Sequence, residues 1–119
     1  MRPSDFLHIS ESLLRGSFGF EEAGYRTAAD RAYLASVLML ADILHRRFGI
    51  QVPRSAEFYS VLEERAAELD PCLKDKIAFL RMRRNTADYE IELAFDKNDA
   101  ERAIAQAKWV TTWLSDKFC

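Results

Sequence analysis

The segment from Ala32 to Leu44 constrains the fold more than any other part of the chain. Ala32, Tyr33, Leu34, Ala35, Val37, Leu38, Met39, Leu40, Ile43 and Leu44 leave almost no polar face at helical spacing. A helix apolar all round must be covered on several sides. In a chain of 119 residues, such a helix is either the centre of a bundle or has one flank in a dimer interface. A mixture of both is expected.

The ends of this helix and its neighbours are marked by local chemistry. Glu21 or Glu22 suits its N-terminus and Arg46-Arg47 its C-terminus, by the sign of the helix dipole, and Phe48-Gly49 ends it. A first helix is predicted over about Ser4 to Leu14, with Ser4 or Asp5 as cap and Phe6, Ile9 and Leu13 on one face. Gly16 and Gly19 break it. Ile50 to Arg54, containing Pro53, connects to a third helix over about Ser55 to Leu69. Asp70 is a natural N-cap and Pro71 a natural first helical residue, so a fourth helix is predicted from Pro71 to roughly Ala94. Asn98-Asp99-Ala100-Glu101 resembles a capping box that opens a fifth helix lasting to about Phe118. Short loops between long helices favour antiparallel neighbours. The expected architecture is all-α, an up-and-down helical bundle of about five helices, with residues 1–119 forming a single domain.

Composition supports a folded chain and removes several function classes. Hydrophobic residues make up 49% and charged residues 30%, far from the disordered regime. No apolar run approaches the roughly 20 residues needed to cross a bilayer, and the N-terminus lacks a signal-peptide core, so a cytoplasmic location without membrane contact is expected. Cys72 and Cys119 lie far apart and suggest neither a zinc cluster nor a disulfide framework, and Cys72 reads as a small buried group. No metal or other cofactor is called for. With a net charge of −2, any anionic partner must be held by a local patch.

One such patch lies on the fourth helix. At roughly 100° per residue, Leu73, Ile77, Leu80, Arg84, Ala87 and Ile91 fall within a stripe about 80° wide. An arginine therefore occupies an apolar stripe. Arginine cannot shed its charge, so its guanidinium there requires a carboxylate, phosphate or carbonyl. Asp88 is four residues later, and Arg81 and Asn85 lie alongside, with Tyr89 one step further round. Arg84 with Asp88 fits an internal salt bridge that keeps helices in register. The cluster of Arg81, Arg83 and Arg84 beside an amide, a carboxylate and a phenol also fits bidentate phosphate binding.

The segment Arg84-Asn85-Thr86-Ala87-Asp88-Tyr89 resembles the Arg-x-x-Ala-Asp-Tyr signature of small prokaryotic HEPN-domain proteins. Ala29-Asp30-Arg31-Ala32-Tyr33-Leu34-Ala35 is similar to that family's Ala-x-x-Arg-Ala-Tyr-Tyr-Ala segment, with Leu34 in place of the second tyrosine, and Ala103 to Leu114 suits its closing helix. The resemblance implies a helical bundle that commonly forms a homodimer, with the two signature helices around a shared cleft. It also implies metal-independent cleavage of RNA, often by a toxin encoded beside a minimal nucleotidyltransferase antitoxin. In such members an arginine stabilises phosphate charge and a histidine a short spacer later helps proton transfer. Arg84 matches the arginine. Five to seven residues beyond it stand Tyr89, Glu90 and Ile91, so the histidine is absent, and neither Arg81 nor Arg83 supplies one.

The residues expected to carry catalysis are Arg84, Asp88 and Tyr89, with Arg81, Arg84 and Asn85 binding phosphate and Arg31 and Tyr33 lining the cleft. Unperturbed aspartate titrates near 3.9 and tyrosine near 10, about three units either side of neutrality, so a non-catalytic interaction or nucleotide-binding module is the alternative. Elsewhere, Arg26 and Asp30 read as an ion pair one turn apart, with the Tyr33 hydroxyl exposed. Trp109 and Trp113 read as packing against the first helix or as a partner surface, and His8 and His45 as ordinary surface or helix-end residues. Arg46, Arg47 and Arg54 read as helix-end electrostatics. The homodimer is checked by light scattering at high micromolar concentration, where a monomer mass would count strongly against it.

Overall fold

A computed structural model describes residues 2–15 and 21–119. They form five helices: α1 (Pro3–Arg15), α2 (Glu21–Phe48), α3 (Phe58–Leu69), α4 (Pro71–Tyr89) and α5 (Lys97–Phe118). No strand is present among the described residues. The break expected at Gly16 and Gly19 lies outside them.

Helix α2 has 28 residues, which at 1.5 Å per residue spans about 42 Å. The molecule measures 45 × 25 × 24 Å, so this one helix runs nearly its whole length. All four other helices pack against it. Ala28, Ala29, Ala32, Tyr33, Ala35, Val37, Leu40 and Ile43 have no accessible surface, which is the all-round covering that their sequence demands. The alanines allow close approach. Ser10 of α1 is fully buried and donates from Oγ to the Ala28 carbonyl at 2.8 Å, so a polar group sits in the α1–α2 seam without going unsatisfied. Within α1, Leu7 and Ser10 are buried, with Phe6 and Leu13 partly buried against the core beside them.

The helix ends combine expected and unexpected chemistry. Gly49 takes φ +66° and donates to the His45 carbonyl at 3.1 Å, closing α2 with the left-handed residue that glycine tolerates best. Asp70 caps α4, accepting from Cys72 N at 2.7 Å and Leu73 N at 3.2 Å, with Pro71 in the first turn. Helix α3 begins at Phe58, three residues later than Ser55, because the Ser55 carbonyl and hydroxyl are taken up by a turn with Phe58 N and Glu57 N. The capping box of α5 uses Asp96 and Asp99, each side chain accepting from the other's backbone N–H, rather than Asn98 and Glu101.

Helix α4 stops at Tyr89, short of Ala94, and the cause lies on α2. The Arg26 guanidinium donates to the carbonyls of Thr86 (3.1 Å), Ala87 (2.9 Å), Glu90 and Ile91 (both 3.4 Å), and also to that of Leu93. It takes up acceptors that a helix C-terminus leaves without partners. Arg26 also lies 5.5 Å from the buried Phe95 ring, and Glu22 accepts from both Arg26 and Phe95 N. Arg26 therefore pairs with Glu22 and the end of α4, and the expected Arg26–Asp30 pair does not form.

Two further expectations are corrected. Ile91 lies beyond α4 and is 74% exposed instead of extending its apolar stripe. Cys72 is exposed, because it stands in the first turn of α4 away from Leu73. Trp109 and Trp113 stack with near-parallel rings 6.4 Å apart, partly buried against the core, and Lys76 of α4 covers Trp109.

With only 12% of its side chain accessible, Arg26 is a structural residue, and a hydrogen bond from a charged group of this kind contributes about 1.5–3 kcal/mol net of exchange with water. Arg26→Ala is expected to lower unfolding free energy by about 2–3 kcal/mol in urea titration. Arg26→Lys should recover only part of that loss, since a single ammonium cannot reach the same spread of carbonyls.

Candidate functional site

Arg84 projects from α4 toward α2 and α3. Its Nε donates to Asp30 Oδ1 at 3.1 Å and to Asp88 Oδ2 at 3.2 Å, one carboxylate from α2 and one from the next turn of α4. The guanidinium carbon lies 5.3 Å from the centre of the Tyr59 ring and 5.7 Å from that of Tyr33. Those rings are themselves in contact, with centroids 5.5 Å apart. The cation is thus held from its inner edge by two carboxylates and faces two aromatic rings, contacts that favour a planar guanidinium over an ammonium. Its side chain remains 23% accessible, and its two terminal nitrogens form no hydrogen bond with the described residues.

The electrostatics of this group follow from crowding. Burial opposes the charged form of Arg84, but Tyr59, Asp30 and Asp88 outweigh it and raise its pKa above the usual value. Burial also raises the pKa of Asp88, and the nearby Asp30 adds to that rise against the opposing pull of Arg84. With both carboxylates ionised, one positive and two negative charges leave the trio at −1. An entering anion is therefore best accommodated when Asp88 takes up a proton.

Tyr33 is fully buried, contrary to the expectation of an exposed hydroxyl, and its oxygen has no hydrogen-bond partner. Burial, followed by Glu63 and Tyr59, holds its pKa well above the ordinary tyrosine value, so it remains a neutral donor. A buried hydroxyl without a partner is unusual, and this one lies against the ring contact that supports Arg84.

The remaining expected site residues separate. Arg81 forms an ion pair with Glu63 of α3, so its charge is already matched. Asn85 is exposed, and Tyr89 is 72% exposed with no side-chain hydrogen bond among the described residues. Arg31 lies 5.8 Å from the Phe6 ring of α1, on another side of α2. The structure therefore joins Arg84, Asp88 and Tyr33 and leaves Arg81, Asn85, Tyr89 and Arg31 outside the group. Asp30 and Tyr59 are the members that sequence reading missed. Asp30 shares a helix face with Tyr33, three residues on, which signals a joint position but not the partner.

A family model described as HEPN domain matches residues 10–117 of the chain. No curated protein and no solved structure matches it.

The raised pKa of Asp88 gives a signed expectation. Its ionisation weakens the fold fully above its folded pKa, and the penalty disappears as pH falls to the ordinary value of 3.8. Asp88→Asn is expected to stabilise the protein at pH 7 by up to about 1 kcal/mol, since the partly exposed site is screened by solvent. The difference between variant and wild type should shrink on acidification through that window in parallel urea titrations.

Proposed function

The chain belongs to the HEPN-domain family, and on that premise we propose that it binds the phosphate of an RNA or a nucleotide through Arg84. The observation that carries this reading is the division of labour within one guanidinium. Asp30 and Asp88 hold Nε, while the terminal nitrogens keep the forked donor pair that matches two phosphate oxygens. Tyr33, fully buried, supports the guanidinium through its ring.

In this reading the protein acts as a homodimer and as the toxin-like half of a pair with a minimal nucleotidyltransferase antitoxin. Metal-independent RNA cleavage at the site assigns charge stabilisation to Arg84 and proton transfer to Asp88, whose desolvated carboxyl holds a proton more tightly than a free one. In the proton-transfer step, the attacking 2′-hydroxyl gives its proton to the Asp88 carboxylate as its oxygen bonds to phosphorus. The bond from phosphorus to the 5′-oxygen of the next nucleotide breaks, that oxygen leaving with a proton from Asp88 or water, and the phosphate remains as a 2′,3′-cyclic ester.

A second reading, a non-catalytic dimeric module that binds nucleotide or a partner protein, is favoured by two observations. No histidine follows Arg84 within the family spacing, and the trio around Arg84 carries a charge of −1 that suits weak, proton-linked binding.

The test incubates wild type and Arg84→Ala with single-stranded RNA in a metal chelator, with circular dichroism confirming that both fold. Cleavage by wild type and its loss in the variant is the expected result. Intact RNA that is still bound in an Arg84-dependent manner supports the second reading, and neither cleavage nor binding overturns the phosphate site.

A further inference from the structure

Exposed apolar side chains are not scattered over this molecule. Among the described residues five large ones are exposed, and four of them, Met82, Tyr89, Ile91 and Leu93, fall on the last turns of α4 and the segment that follows. Met82 and Tyr89 are seven residues apart, about two turns, and so lie in line on one face of the helix. The chain then turns at once. Leu93 N donates to the Glu90 carbonyl at 3.1 Å, which puts Ile91 and Glu92 at the corner. Glycine, asparagine and proline are the usual residues at such a corner, whereas Ile91 leaves most of its surface in water.

The turn is held in this form from inside. The Arg26 guanidinium donates to the carbonyls of Glu90, Ile91 and Leu93, and Glu22 accepts from Phe95 N at 3.2 Å. The Phe95 side chain, 3% exposed, anchors the exit. These contacts fix the backbone and leave the Ile91 and Leu93 side chains at the surface. Ordering a segment whose apolar side chains stay wet brings no hydrophobic gain within the protomer, but it removes an ordering cost that binding would otherwise meet.

Charge selects what can cover the patch. Tyr89-Glu90-Ile91-Glu92-Leu93 alternates apolar and acidic residues, and neither glutamate side chain forms a hydrogen bond or ion pair with a described residue. Asn85 and Thr86, between Met82 and Tyr89, are uncharged, while Arg81 and Arg83 are matched by Glu63 and Asp99. The surface is therefore apolar with an acidic edge. A second copy seated on the same patch about a two-fold axis would set glutamates against glutamates, and an anionic lipid surface would repel them. A helix whose apolar face is bordered by lysine or arginine matches both features.

We propose that Met82, Tyr89, Ile91 and Leu93 form a preformed docking surface for a basic amphipathic helix of a partner protein, with lysine or arginine of that helix meeting Glu90 and Glu92. The surface goes beyond the phosphate reading and does not rest on it, because Arg84 is turned toward α2 and α3.

The probe is a fluorescently labelled peptide of roughly 18 residues, with leucine on one helical face and lysine on its flanks, titrated with the full chain and read by anisotropy. Saturable binding is expected, weakening as ionic strength rises. Ile91→Ser combined with Leu93→Ser keeps the net charge and should weaken binding about tenfold or more. Glu90→Gln combined with Glu92→Gln should weaken it to a similar degree at low salt and flatten the salt dependence. Arg84→Ala should leave it within about twofold, so the phosphate reading can fail without this one. Positions 90–93 are on the surface, and thermal melts by circular dichroism confirm that each variant folds. A peptide with glutamate in place of lysine should not bind. Binding that the serine pair leaves unchanged is charge attraction alone and overturns the proposal, as does no binding to wild type. Light scattering reads the remaining outcome: a wild-type dimer that the serine pair converts to a monomer gives the patch to a second copy and overturns it too.

Discussion

The burial of α2 is the constraint on which the rest of the molecule depends. A helix without a polar face needs neighbours all around it, and the four others are arranged to supply them. Charges on α2 are then confined to places where another helix can answer them. Arg26 and Asp30 stand one turn apart near its N-terminal end, and both are answered by α4: the first takes the carbonyls at the end of that helix, the second takes Arg84. One short stretch of α2 thus sets where α4 stops and how its arginine is aimed. The candidate site and a helix boundary are two consequences of the same packing.

Magnitudes explain why the arginine tolerates its place. A guanidinium stays charged at any accessible pH, so the cost of partial burial has to be met by neighbours and not by losing a proton. Two carboxylates and two aromatic rings meet it, and the excess negative charge falls on the group that can change its state, Asp88. Both groups therefore hold a proton more tightly than usual, and of the two only the aspartate changes its state at accessible pH. An anion entering at the terminal nitrogens changes that balance, which couples occupancy of the site to protonation.

Much of the fold was legible because it is written in local chemistry. The Asp70-Pro71 start of α4, the Gly49 end of α2 and the absence of a polar face on α2 each act within a few residues. What failed was long-range. Spacing suggested that Arg26 would pair with Asp30, yet Arg26 turns to Glu22 and to the carbonyls of a distant helix end while Asp30 is taken up by Arg84, and no sequence pattern marks those long-range partners. The same missing information extended α4 to Ala94 and carried Ile91 into its apolar stripe. Within the site, Arg84 and Asp88 were visible at four-residue spacing. Tyr59 was not, since a tyrosine at the start of α3 carries no mark that it will face an arginine of α4.

The family-like segment on α4 can be read position by position in physical terms. Arg84 and Asp88 share one flank and hold each other. Ala87 is 3% exposed and offers its carbonyl to Arg26, so a small residue there allows α2 to approach. Thr86 offers its own carbonyl to the same guanidinium. These positions are accounted for by packing and hydrogen bonding inside one protomer. Tyr89 is not: its ring is largely exposed at the last residue of the helix, and nothing in the described protomer holds it. A large aromatic left on the surface beside an ordered ionic cluster adds nothing to the core, so packing within the described protomer, which fixes Arg84, Ala87 and Asp88, does not fix a tyrosine at that position.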